Sequence, residues 1–149
     1  MNGPIGHANS NYLTIYADEF TPVDSELIPL GQKLSVENTP FDFRKAKRID
    51  AEQTELGIYD HNFMLNGTHA ATMVGDISGL KMEVYTDMPA MQMYTGAGGE
   101  NTKAAAKIAD RGGVALEPQF APNAINMDGF EKPIVKANEE SFHYIRLEF

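Results

Sequence analysis

Short segments rich in β-branched and aromatic residues recur roughly every eight to twelve residues along this chain, each closed by Gly, Pro or Asn turn chemistry. A strand of alternating pattern has one apolar face to cover, so a succession of them predicts an all-β antiparallel sandwich or barrel. Tyr12-Leu13-Thr14-Ile15-Tyr16 alternates at period two, and the turn clusters Thr21-Pro22-Val23-Asp24 and Leu27-Ile28-Pro29-Leu30-Gly31 bracket a short loop. Pro40 to Arg44 sets Phe41 and Phe43 against Asp42 and Arg44. Ile58 to Leu65 runs into Asn66-Gly67, the strongest short-range hairpin signal, and on to His69 to Val74. Asp76-Ile77-Ser78-Gly79 turns the chain into Lys81 to Thr86, Met91 to Thr95 ends at Gly96, and Val114 to Gln119 and Phe142 to Phe149 complete the strands. Asn101 to Ala109 is a helix candidate or a loop, Ile49 to Leu56 a helical turn or extended loop, and Gly96-Ala97-Gly98-Gly99 a loop.

The 149 residues suit one domain spanning 1–149. A net charge of -9 argues against nucleic acid, whose phosphates demand a basic footprint. With no cysteine, disulfides and thiolate chemistry are excluded. Met1 to Ser10 lacks the basic start and apolar run of a secretory signal, and no stretch approaches the roughly 20 apolar residues of a membrane span. The expected location is therefore cytoplasmic, with no membrane partner. Asn2-Gly3-Pro4-Ile5-Gly6 is turn chemistry leading straight toward a strand, as in the middle of a fold.

Polar side chains inside three strands are the candidates for chemistry. In Val114 to Gln119, alternation sets Val114 and Leu116 on one face and Ala115, Glu117 and Gln119 on the other. A glutamate among small and apolar neighbours is poorly solvated, which favours a general base; the bland alternative is a glutamate on a solvated face. In Ile58 to Leu65, Tyr59, His61, Phe63 and Leu65 share one face, and Asp60 and Asn62 share the other. A carboxylate beside an amide can hydrogen-bond vicinal hydroxyls, although Asp60 also reads as a surface residue. His61 falls among aromatics, as a core histidine does. Gln92 and Tyr94 share a face suited to a sugar ring, or simply the polar face of an outer strand. His7, His69 and His143 have no metal-pair spacing, and phosphate-loop, dinucleotide and Gly-x-Ser-x-Gly motifs are absent.

Taken in order, these segments resemble the aldose 1-epimerase (galactose mutarotase) family. Tyr16 to Asp24 with Leu27-Ile28-Pro29 and Gly31 is similar to its "ADxxTPVDxxLIPxG" stretch, and Thr39 to Arg44 to its "TPFDFR" segment. Tyr59 to Phe63 matches "YDHNF", Gln92 with Tyr94-Thr95-Gly96 matches "QxYTG", and Gly113 to Gln119 with Pro122-Asn123-Ala124 resembles "GxxLExQxxPDAxN". Phe142 to Phe149 resembles the closing strand. The resemblance implies a large twisted sandwich, or supersandwich, of which this chain is the C-terminal part. It implies interconversion of α and β anomers of an aldohexose, glucose or galactose, in hexose metabolism, with Glu117 as base, Asp60 and Gln92 as substrate-binding residues, and no metal or organic cofactor.

The family's general-acid histidine lies in an "NHxYFNL" motif that would stand upstream of Met1, and none of the four histidines matches it. Ala90 replaces a usual glycine, and Pro118 sits beside the base. Three expectations compete: a mutarotase piece functional only when completed by an N-terminal half, a non-catalytic carbohydrate-binding or remnant β-domain, and the same fold on another sugar substrate. The unpaired strand edges of such a piece predict self-association or poor stability.

Overall fold

The computed structural model describes residues 7–55, 57–96 and 113–149. The Asn101 to Ala109 segment, Asn2 to Gly6, Leu56 and most of the Gly96 to Gly99 run lie outside them. The strands are β1 (Tyr12–Ile15), β2 (Ala17–Thr21), β3 (Leu34–Ser35), β4 (Lys47–Arg48), β5 (Asp60–Leu65), β6 (His69–Val74), β7 (Lys81–Thr86), β8 (Ala90–Tyr94), β9 (Ala115–Gln119) and β10 (Ile145–Glu148). They form two five-stranded sheets, ordered β10-β7-β6-β1-β4 and β3-β2-β5-β8-β9. Every pairing is antiparallel. The all-β sandwich expected from the turn rhythm is the observed fold.

Alternation explains the layers. In the first sheet, Ile15, Ala71, Val84 and Leu147 stand opposite one another from strand to strand. In the second, Phe20, Phe63, Met91 and Pro118 do the same. All of these except Leu147 and Pro118 meet in one core with Leu13, Phe43, Tyr59, Met73 and Met93. Each large apolar side chain removed from water there contributes about 1.5–3 kcal/mol. Among the described residues β9 is an edge strand, where Pro118, lacking an N–H donor, is tolerated.

The sequence reading errs at Asn66-Gly67. β5 and β6 lie in different sheets, so this is a crossing between layers, not a hairpin. Asn66 N donates to Tyr16 O at 2.9 Å, and Asn66 Nδ2 donates to Asp18 Oδ2 at 3.1 Å. A turn dipeptide encodes reversal of direction; which strand is met afterwards depends on long-range apolar register. The hairpin of the first sheet is β6–β7, closed by Gly75 N to Leu80 O at 2.9 Å, with Gly79 at φ 66°. Phe41 to Arg44 is irregular rather than extended. Its facing still holds: Phe43 is buried, and Arg44 forms a bidentate pair with Asp42 outside. That pairing holds the Asp42 carboxyl below the usual carboxylate range.

After β9 the chain folds back over the outer face of the second sheet. Ala121, Ala124, Met127 and Phe130 pack on Ala90 and Met64. Lys132 Nζ donates to Ala124 O at 2.7 Å and to Met127 O, and Lys33 Nζ donates to Gly129 O at 2.8 Å. Between the edges β9 and β10 the sandwich opens into a cleft of about 420 Å³, lined by Met73, Val84, Leu116, Pro118, Ile145 and Leu147. Ile145 and Leu147 face inward by alternation yet stay 58% and 50% exposed.

Candidate active site

Directly opposed residues in a sheet project to the same face. Four strands of the second sheet align Thr21 with Asn62, Asn62 with Gln92, and Gln92 with Glu117. The result is a polar row across the outer face, one residue out of step with the apolar row Phe20, Phe63, Met91 and Pro118. Asp60 lies in the neighbouring row, opposite Tyr94, which is opposite Ala115. The structure thus brings Asp60, Gln92 and Glu117 onto one surface. Gln92 Nε2 donates to Asp60 Oδ1 at 2.7 Å, and both side chains are half-buried. Gln92 sits on an interior strand, between β5 and β9, rather than on an outer one.

Of the two settings open to Glu117, the structure shows the solvated face. It is exposed, not poorly solvated. β9 has a strand neighbour on one side only among the described residues, so Gln92 flanks the carboxylate while the other flank is open. Small neighbours within a strand do not determine solvation when the strand is an edge.

His61 is where the aromatic spacing puts it. It is 5% exposed, with ring centroids 4.4 Å from Phe41 and 6.2 Å from Phe20. Burial pulls its pKa down to about 4, against a smaller opposing pull from Asp60. Its Nδ1 accepts from Asp60 N at 3.2 Å, as a neutral imidazole can. His69 lies on the first sheet, stacked on Tyr85 with centroids 4.5 Å apart. His143 has partners on both ring nitrogens: Nδ1 is 3.3 Å from Asp87 Oδ2, and Nε2 is 3.1 Å from Ser141 Oγ. Asp87 also accepts from Tyr144 N at 2.9 Å, the main cause of its lowered pKa, and this chain of bonds ties the start of β10 to the β7–β8 connection. Among the described residues no cluster of His, Asp and Glu could hold a metal ion. None of their helices is long and apolar enough to cross a membrane.

The polar row carries a feature that alternation alone does not reveal. Asn62 is 1% exposed, and its Oδ1 has no hydrogen-bond partner; Gln92 Oε1 is likewise buried and unpartnered. Thr21, at the other end of the row, is also buried, with Oγ1 3.4 Å from Asn62 O. Neither burial follows from alternation within a single strand. The alternation of Ala17–Thr21 against Asp60–Leu65 was the available signal, but it needs the pairing of β2 with β5 to be used.

Fold and site together define a class: an antiparallel β-sandwich with a row of amides and a carboxylate across the outer face of one sheet. The chain belongs to the aldose 1-epimerase family, whose sequence model matches residues 1–148. It is 37% identical over 140 residues to the galactose mutarotase of Bos taurus, covering 88% of this chain and 41% of that protein. It is 36% identical over 146 residues to the aldose 1-epimerase of Escherichia coli K12, covering 89% and 42%. The crystal structure of a GalM/aldose epimerase homologue from C. elegans superposes with a TM-score of 0.78 at 25% identity, over 95% of this chain and 45% of that one. A galactose 1-epimerase structure from Lactobacillus acidophilus gives a TM-score of 0.70 at 27% identity, over 95% and 43%. The chain therefore spans about two fifths of the curated relatives it matches, 41% for the bovine protein.

Proposed function

We propose that this chain is the base-bearing, C-terminal part of a cytoplasmic aldose 1-epimerase that interconverts the α and β anomers of an aldohexose, galactose or glucose, in hexose metabolism. The observation that carries the reading is the Gln92–Asp60 hydrogen bond at 2.7 Å on the face where Gln92 stands opposite Glu117. Glu117, open to solvent, removes the proton of the anomeric hydroxyl. The O–H electrons form the C1 carbonyl, the C1–ring-oxygen bond breaks, and the ring oxygen takes a proton from an acid. The open-chain aldehyde turns about C1–C2 and closes by the reverse steps on the other face. Asp60 accepts from sugar hydroxyls and Gln92 donates to them. These steps are proton transfers and one C–O cleavage, without net redox change, and no cofactor has a part in them.

In this reading the acid is a histidine supplied by a complementing N-terminal half. His61 does not fit that role, since burial keeps its pKa near 4 and its ring is on the inner face. The half docks at the cleft between β9 and β10, where inward-facing Ile145 and Leu147 lack cover. Polarimetry of freshly dissolved α-galactose tests it. Alone, the chain should lose the roughly 10²- to 10⁴-fold that one acid–base partner supplies, and adding the N-terminal portion of a full-length relative should restore it. Full acceleration by the chain alone contradicts the assignment. The second reading, a carbohydrate-binding domain without turnover, draws on the intact Asp60–Gln92 pair; it wins if galactose binds and the added half restores nothing.

A further inference from the structure

Two adjacent amides in the polar row each leave a carbonyl oxygen buried and unpartnered, Asn62 Oδ1 and Gln92 Oε1. A buried acceptor left unsatisfied is costly, so two side by side in register call for an explanation. Gln92 has committed Nε2 to Asp60 Oδ1. Among the described residues, Asn62 Nδ2 has only Met64 Sδ, at 3.6 Å, a weak acceptor that a better one would displace. Two carbonyl oxygens cannot satisfy each other, but a carbonyl and an amide N–H can. A half-turn of the Asn62 amide exchanges donor and acceptor with almost no change of shape. It offers Gln92 Oε1 a donor and sets Asn62 Oδ1 in the place beside Met64 Sδ, so one of the two oxygens is satisfied. Residues directly opposed across antiparallel strands have Cβ atoms about 4.5–5.5 Å apart, within reach for two amides.

We propose that Asn62 is the positioning residue of this site: its Nδ2 donates to Gln92 Oε1, which fixes Gln92 with Nε2 toward Asp60 and leaves the second Asp60 oxygen to a sugar hydroxyl. The order of donation is then Asn62 to Gln92 to Asp60, running along the row and ending on the carboxylate. Asn62 itself, buried, touches no ligand. The proposal rests on the reading of Asp60 and Gln92 as sugar contacts, and its test separates the two.

The direct readout is hydrogen exchange of the Gln92 side-chain NH2 by 15N NMR on the 149-residue chain, beside Asn62→Leu and Asn62→Asp. Leu removes the donor at similar volume, and ionised Asp keeps the shape while only accepting. Each should speed Gln92 NH2 exchange about tenfold while the backbone amides of β5 and β8 keep their protection, an effect of packing alone being felt by both. Should the Leu variant fail to fold, the Asp variant carries the measurement. Unchanged Gln92 exchange in either folded variant overturns the proposal. The second readout is the dissociation constant for galactose in a double-mutant cycle with Gln92→Leu. Asn62→Leu should weaken binding about tenfold in the parent and not at all in the Gln92→Leu background; equal weakening in both overturns it. If Gln92→Leu leaves galactose binding unchanged, or the parent binds none, the sugar-contact reading fails, and Gln92 exchange still decides the role of Asn62.

Discussion

β2, β5, β8 and β9 carry two rows one residue apart, and the rows treat polar atoms in opposite ways. Phe20, Phe63, Met91 and Pro118 face the other sheet, and the nearest polar side chain on that face, His61, loses its charge to burial. Thr21, Asn62, Gln92 and Glu117 face outward, where Asp60 keeps a charge-assisted bond from Gln92. Burial does not separate the rows, because Asn62 and Phe63 are 1% and 0% exposed. What separates them is side-chain chemistry: the inner row is hydrocarbon and aromatic ring, whereas the outer row sets two amides and a carboxylate in register. A function built on hydrogen bonding to hydroxyls belongs to the second kind of row.

The largest expected effect breaks the inner row. Phe63→Ala removes a fully buried ring and should destabilise the chain by about 3–5 kcal/mol in denaturant unfolding; a loss below about 1 kcal/mol would mean the rows do not share one core. Next comes the histidine on that face. Its folded pKa of about 4 lies below the ordinary 6.5, so the unfolded chain binds the extra proton between these values. Stability should be steady above about pH 6.5 and fall as pH drops toward 4, by about 3 kcal/mol in all, and His61→Gln should flatten that segment of the curve. On the outer face, beside the polar row, Asp60→Asn replaces a charge-assisted partner and should weaken galactose about ten- to a hundredfold by titration calorimetry, leaving the His61 slope in place. Smallest is a change outside both rows: Leu27 adopts φ 65°, and Leu27→Gly should raise stability by about 0.5–1 kcal/mol in thermal unfolding.

Much of this arrangement is readable from alternation. The facing of His61 against Asp60 and Asn62, and of Glu117 against Leu116, follows from period two within a strand. Pairing between strands is what the chain hides. Asn66-Gly67 announces a turn but not the change of sheet, and alternation leaves the solvation of Glu117 open until β9 takes its place at the end of its sheet among the described residues. The Thr21–Asn62–Gln92–Glu117 row joins residues far apart in sequence, so it exists only once the register is known. Family motifs point to Asp60, Gln92 and Glu117 but not to the unpartnered oxygen of Asn62, which is a property of three-dimensional packing.

We propose Glu117, at the open end of the polar row, as the base. Its most direct test is polarimetry of α-galactose with the chain complemented by the N-terminal portion of a full-length relative, comparing parent and Glu117→Gln. The account predicts a fall in mutarotation rate of about 10²- to 10⁴-fold with the fold and galactose binding retained. An unchanged rate in the variant would contradict it.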